Sequence, residues 1–272
     1  MATATATPEE SLTSSTLRVG WVQTIGRIGI GTRGVIYLIL AYLAFDIARH
    51  GNAPTQATST GALEEVGHRS GGSALLILLA VGLGSYAIWR LLNAMTSRQG
   101  TLERIGSLAI AVIYCGLFAR ALELAAGRST NGGAAANPGP VVEKVMGWPA
   151  GKEIVELGGV ALIIAGVGLG LWGIFHPYPT RLDLGQVTRG WRRTIQALGA
   201  LGDLARGFLL ALVGAYLMGT ATSDNPSQAK GIDQALKALV GHYYGAILIG
   251  FVALGLLCFG LFSFFDARLR RL

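Results

Sequence analysis

Six long runs of apolar residues follow one another along the chain, with short polar connections between them. They cover about residues 31–48, 73–95, 105–125, 155–175, 203–222 and 243–265. A helix of roughly 20 apolar residues crosses a bilayer. Lipid offers no partner to free backbone groups, and no run alternates as a barrel strand does, so the runs are expected to be helices. The pattern predicts an all-α, polytopic membrane protein with six transmembrane helices.

The first and last pairs of runs carry the same pattern, 173 positions apart. The motif G-x-x-G-x-x-x-R-G runs from Gly26 to Gly34 and again from Gly199 to Gly207. Fixed spacing that continues through a connection and the next run indicates an internal repeat. Each copy has two predicted helices, so the copies face the same way across the membrane, as parallel repeats do.

A weaker copy lies between these two. The sequence VIY at 35–37 recurs at 112–114, but Ile110 stands where the arginine of the motif would be. In the second half of this copy, Gly82 matches Gly166 if the outer connection is longer. We therefore expect three parallel two-helix repeats around a pseudo-threefold axis. The predicted organisation is a disordered cytoplasmic tail over 1–20, hairpin repeat 1 over 21–98, hairpin repeat 2 over 99–180, and hairpin repeat 3 with a short basic C-terminus over 181–272.

The composition agrees with helices that pack closely in lipid. Charged residues make up only 14% of the 272, and there are 40 glycines. Small residues let transmembrane helices approach one another. The net charge of +7 does not indicate nucleic-acid binding, because the basic residues are spread between the apolar runs. Most of them lie in the N-terminal tail, the second and fourth connections and the C-terminus, which predicts that both termini are cytoplasmic.

Arg33 and Arg206 are the candidate site residues, since they occupy equivalent places in the first and third repeats. An ionisable group within a span is a functional hypothesis by default. The two arginines, with Asp203 beside Arg206, are a possible contact for an anion or a lipid phosphate. Two structural interpretations compete with this one. The arginines can snorkel to the headgroups, or Arg206 can pair with Asp203 one helical turn away.

Other chemistry finds little support in the sequence. The four histidines are scattered, and no two share a helix face within the predicted membrane region. This spacing argues against a metal site or haem ligation. We expect no metal, no cofactor and no catalytic residue, and hence a protein that is not an enzyme.

The repeated G-x-x-G-x-x-x-R-G opening and the plan of three hairpins resemble the bacterial domain of unknown function 1206 family. The likeness extends from about Gly26 to Ser263. The resemblance implies this membrane fold and a location in the bacterial cytoplasmic (inner) membrane, and it brings no activity with it.

Two functions remain open on the sequence. The first is an accessory or scaffold subunit that packs against another integral membrane protein, a complex or lipid. The second is a channel or transporter for an ion or small anionic solute, along the axis between the three repeats. Membrane lipids are expected partners in either case, and nucleic acid is not.

Overall fold

The computed structural model of the protein describes residues 8–51, 56–96, 101–128, 138–175, 188–223 and 225–269, and these residues are largely helical. Within these ranges the helices are α1 Pro8–His50, α2 Ser59–Gly67, α3 Gly72–Thr96, α4 Thr101–Ala125, α5 Gly139–Met146, α6 Gly151–Phe175, α7 Arg189–Ser223, α8 Ile232–Val240 and α9 Gly245–Leu269.

The prediction of an all-α protein with six candidate spans is confirmed. The helices long and apolar enough to cross a bilayer are Thr24–His50, Gly72–Leu92, Arg104–Ala125, Gly151–Phe175, Arg189–Ser223 and Gly245–Leu269. The first of these begins earlier than its apolar run, because the helix continues through the arginines of the glycine motif. These six helices in sequence place the start of α1 and the end of α9 at the same end of the bundle.

The N-terminal helix extends into the predicted disordered tail. That tail was assigned to residues 1–20, but α1 begins at Pro8; residues 1–7 lie outside the described residues. Proline is favoured at the first helical position. The assignment of residues 1–20 as a disordered cytoplasmic tail stays a prediction.

Each odd span connects to the next through a short helix at the end of the bundle away from the start of α1 and the end of α9. These helices are α2, α5 and α8, and each is followed by four residues and then an even span. The even spans all begin with glycine: Gly72, Gly151 and Gly245. A Cβ atom there would collide with the backbone carbonyl of Val66, Val145 or Leu239, respectively. The three glycines thus let each short helix fold back tightly onto the span that follows it. The same glycine-to-carbonyl contact therefore occurs once in each of the three repeats.

The start of α6 also corrects the alignment of the middle copy. The match of Gly82 with Gly166 is wrong, because the two glycines contact different neighbours. A Cβ at Gly82 would meet Thr32 of α1, in its own hairpin, whereas one at Gly166 would meet Gly207 of α7, in the next repeat. Aligning Gly72 with Gly151, the first residues of α3 and α6, shifts the two repeats by fewer positions than matching Gly82 with Gly166 does.

The spans follow one another around the bundle in chain order. The most extensive packing joins α3 to α4, α6 to α7 and α9 to α1, which are the three junctions between successive repeats. Within repeats, α1 packs on α3 and α7 packs on α9. Among the described residues, however, α4 and α6 share no extended interface. The ring is open at this point, and the pseudo-threefold axis stays a prediction.

Two equivalent glycines pack closely against an aromatic residue in the first and third repeats. A Cβ on Gly29 would lie 2.6 Å from the Cβ of Tyr86, and one on Gly202 would lie 2.5 Å from the Cβ of Phe259. Both distances are far below contact, so the backbones of α1 and α3, and of α7 and α9, approach closely here. Tyr86 and Phe259 are thereby fixed at matching places, and both face the arginines described next.

Candidate functional site: an arginine cluster in a central cavity

A cavity of about 410 Å³ lies between the spans, and all six contribute to its lining. Its volume is within the range of small-molecule sites in proteins. Aliphatic side chains form most of the walls, including Leu40, Leu117, Leu169, Leu209 and Leu256. Charged side chains enter it at one end only. They are Arg33, Arg90 and Arg206, which we call the arginine cluster.

Arg33 is buried inside the protein and does not reach lipid. It lies nine residues beyond Thr24, where the first span begins, or about 13 Å along the helix. Only 8% of the residue is exposed. Its Nη2 lies 3.1 Å from Oδ2 of Asp266 on α9, and its Nη1 donates to the Tyr86 hydroxyl at 3.2 Å. These protein partners favour an ion pair over snorkelling for Arg33.

The Tyr86 hydroxyl joins two of the arginines. In addition to the hydrogen bond from Arg33, it accepts from Nε and Nη2 of Arg90 at 3.1 and 2.9 Å. Arg90 is half-buried and lies one helical turn after Tyr86 on α3, with its guanidinium 5.4 Å from the centre of the Trp89 ring. Among the described residues, no carboxylate forms an ion pair with Arg90.

Arg206 forms the ion pair that its spacing predicts. Its Nη2 lies 2.9 Å from Oδ1 of Asp203, and 22% of the arginine side chain is exposed against 5% of the aspartate. The guanidinium also lies 3.8 Å from the centre of the Phe259 ring, which is a close cation–π contact. The proposed anion contact of Arg33, Arg206 and Asp203 remains a prediction, and the structure places all three around the same end of the cavity.

The middle repeat supplies apolar and aromatic groups instead of an arginine. Ile110 lines the cavity where the motif would place a third equivalent arginine. The Tyr114 ring lies 4.4 Å from that of Tyr86. The cluster is therefore asymmetric. The positive charge comes from α1, α3 and α7, and α4 contributes an apolar wall beside it.

The cluster carries more positive than negative charge. Within the described part of the chain, two carboxylates, Asp203 and Asp266, pair with its three guanidinium groups. The Nε of Arg33 is buried and has no hydrogen-bond acceptor there. A buried donor without an acceptor costs roughly 1–3 kcal/mol. An anion at this end of the cavity would balance the positive charge of the cluster.

Comparison with known proteins places the chain in a family. Residues 28–97 and 201–270 match the family described as Domain of Unknown Function (DUF1206), and the two matches cover just over half of the chain. The chain belongs to this family. It is also 27% identical to the Bacillus subtilis (strain 168) protein named "Uncharacterized protein YxxB", over 250 residues that cover 89% of each protein. No solved structure matches.

The family match coincides with the repeat in this DUF1206 protein. The two matching segments are offset by the same 173 positions as the glycine motifs, and each contains one motif arginine. The middle copy lies outside both segments. The Bacillus subtilis relative aligns over most of the chain, however, and so includes most of that copy.

Tyr86, Arg90 and Asp266 of this DUF1206 protein were not singled out from the sequence. Asp266 is 2% exposed, yet it lies next to the basic C-terminus and resembles an ordinary interfacial acid. A usable signal was its position inside an apolar run, FSFFDARL, across from the arginine of α1. Pairing the two requires knowing that α9 packs on α1, which the hairpin plan alone does not specify.

Residues next to and on the short helices α2 and α8 of this DUF1206 protein line the end of the cavity opposite the arginine cluster. Oδ1 of Asp233 on α8 accepts from the backbone N–H of Ala57 at 2.9 Å, which ties the third repeat to the first. Glu64 on α2 pairs with Arg120 on α4 at 2.8 Å, which ties the first repeat to the second. Both short helices are therefore held across junctions between repeats.

Proposed function

We propose that the protein binds an anionic group, a carboxylate or a phosphate, at the arginine cluster. The observation that carries the proposal is the convergence of three arginines at one end of a cavity, where two carboxylates leave one positive charge unbalanced among the described residues. Guanidinium groups suit planar or tetrahedral oxyanions because they present paired N–H donors. Few waters compete in an apolar cavity, so such contacts are stronger there than at a surface.

Binding accounts for this cavity better than passage of a soluble ion along the axis. An aqueous path through the membrane needs polar groups along its length. Here the walls beyond the arginine cluster are mainly leucine, isoleucine and alanine, and hydroxyl side chains occur only near the far end, at Thr58 and Ser59, and on two tyrosines among the lining residues. We therefore favour a binding protein, without catalysis, over the channel hypothesis.

We further propose that the cluster faces the cytoplasmic leaflet of a bacterial cytoplasmic membrane. The predicted excess of lysine and arginine in the tail, the even-numbered connections and the C-terminus supports this orientation. The occurrence of a relative in Bacillus subtilis is in keeping with it. Both termini would then be cytoplasmic.

Thermal stability in a neutral detergent tests the proposal. A ligand that binds only the folded state stabilises it by RT ln(1 + [L]/Kd). We expect inorganic phosphate or a short carboxylate to raise the melting temperature of the wild type in a saturable manner, and R33Q/R206Q to remove the effect. The matched control is R27Q, which removes an exposed arginine from the same helix. Equal anion responses in R33Q/R206Q and R27Q would contradict the proposal.

The accessory-subunit hypothesis has one observation in its favour. The facing sides of α4 and α6 are open in the described structure, and a helix of another membrane protein could pack there. Purification from the native membrane in mild detergent tests it. A partner recovered in near-stoichiometric amount, and lost when bulky residues are placed on α4 and α6, would favour this second function.

A further inference from the structure

The break in the ring between α4 and α6 opens the cavity sideways. In the most apolar stretch of each of these two spans, 22% of residues are buried, against 39–56% in the other four. Ile113 of α4 lines the cavity and is nevertheless 60% exposed. Because α4 and α6 share no extended interface among the described residues, Ile113 lies at an edge of the cavity. The cavity is therefore least enclosed between α4 and α6.

Two glycines mark the facing sides of the opening. Successive residues in a helix are 100° apart, so Gly116 points away from Ala111 and Phe118, which face α3. A Cβ on Gly116 would meet no atom of the described residues within 4 Å. On α6, Gly168 likewise points away from the glycines that contact α7, and it too has open space. Each glycine lies where the missing neighbour would pack.

We infer that the ligand is an anionic phospholipid that enters between α4 and α6, with its phosphate at the arginine cluster and an acyl chain along the apolar walls. This inference rests on the proposed anion binding and identifies the molecule that carries the anionic group. The cavity is divided in the same way as a phospholipid. Its charged residues lie at one end, and mainly leucines line the rest. The opening faces hydrocarbon, where a lipid tail can remain half inside the protein.

A soluble anion would use only part of this site. It would contact the arginine cluster but leave the apolar volume and the sideways opening without a role. A purely apolar helix from a partner protein would fill the opening but bring no negative charge to the arginine cluster. The phospholipid satisfies both the charged end and the apolar walls, so we favour it.

Native mass spectrometry in a neutral detergent, with phosphatidylglycerol and phosphatidylcholine in equal amounts, tests the inference. We expect one phosphatidylglycerol per wild-type chain, at least tenfold preferred over phosphatidylcholine. The variant G116W/G168W fills the opening at two positions with free space, so it should fold and lose at least tenfold in lipid occupancy. The control G250W adds the same bulk at an open position on α9 and should retain the lipid.

The anion response separates the two proposals. In G116W/G168W, stabilisation by inorganic phosphate should persist, because the arginine cluster is intact. Phosphate stabilisation of the wild type without phosphatidylglycerol preference would overturn the lipid inference and leave the anion site. If the wild type showed neither phosphate stabilisation nor a preference for phosphatidylglycerol, both the anion site and the lipid inference would be overturned. Equal lipid occupancy in G116W/G168W and G250W would refute entry between α4 and α6, and a stoichiometric protein in place of the lipid would assign the opening to a partner helix.

Discussion

Replacing Asp266 with asparagine should weaken the fold and strengthen anion binding at the same time. Asp266 is the carboxylate that pairs with buried Arg33, and asparagine keeps its shape while removing its charge. Breaking a buried ion pair from one side costs about 3–5 kcal/mol. For a chain of this size, 1 kcal/mol corresponds to roughly 2–4 °C. We therefore expect the melting temperature of D266N to fall by about 6–20 °C without added anion.

The effect on binding has the opposite sign. Asp266 repels any anion that approaches Arg33. At about 6 Å and an effective dielectric constant of about 20, that repulsion is roughly 3 kcal/mol, and every 1.4 kcal/mol is about tenfold in Kd. We expect phosphate to bind D266N at least tenfold more tightly than the wild type. Added phosphate should then restore most of the lost stability.

Asp233 provides the control for this experiment. It is equally buried, at 3% exposure, and pairs with Lys237 at 3.0 Å, but it lies at the outer end of the cavity. D233N should also lower the melting temperature, without a gain in phosphate affinity. The reasoning would be refuted if D266N bound phosphate no more tightly than the wild type, or if D233N gained as much affinity.

Three other substitutions test the packing around the site. G166A should lower the free energy of unfolding by about 1–3 kcal/mol because its methyl group collides with the backbone of α7. The control G168A should be neutral or slightly stabilising, and thermal unfolding compares the two variants. Y86F removes the hydroxyl shared by two arginines and should cost about 1–3 kcal/mol; an unchanged melting temperature would show that the hydroxyl is not needed. G245A should disturb the turn from α8 to α9, where its methyl group meets a carbonyl, while G241A, four residues earlier in open space, should not; amide hydrogen exchange in this turn would report the difference.

The spans and the outer repeats were predictable because each rests on a local or periodic signal. Apolar runs of sufficient length can only be helices in lipid, and the 173-residue spacing links Arg33 to Arg206. The glycines at 26–34 and 199–207 also predict close packing, which Gly29 and Gly207 confirm. In each case the residues that carry the signal lie on one or two neighbouring helices.

The partners of the arginines were less predictable because they come from distant parts of the chain. Asp203 was found from its helical spacing to Arg206, whereas Asp266 is 233 positions from Arg33. Only the packing of α9 on α1 brings the latter pair together. The opening between α4 and α6 was unpredictable for a related reason. The middle copy keeps two spans but loses the contact between them, and the spacing of repeats in the sequence does not show which spans pack together.

The most direct test of the arginine cluster as an anion site is an experimental structure in nanodiscs that contain phosphatidylglycerol. We predict phosphate density at the arginine cluster, with oxygens within about 3.2 Å of the guanidinium nitrogens of at least two of its arginines. A cavity without an anion, in which Arg33 contacts only Asp266 and Tyr86, would contradict the account.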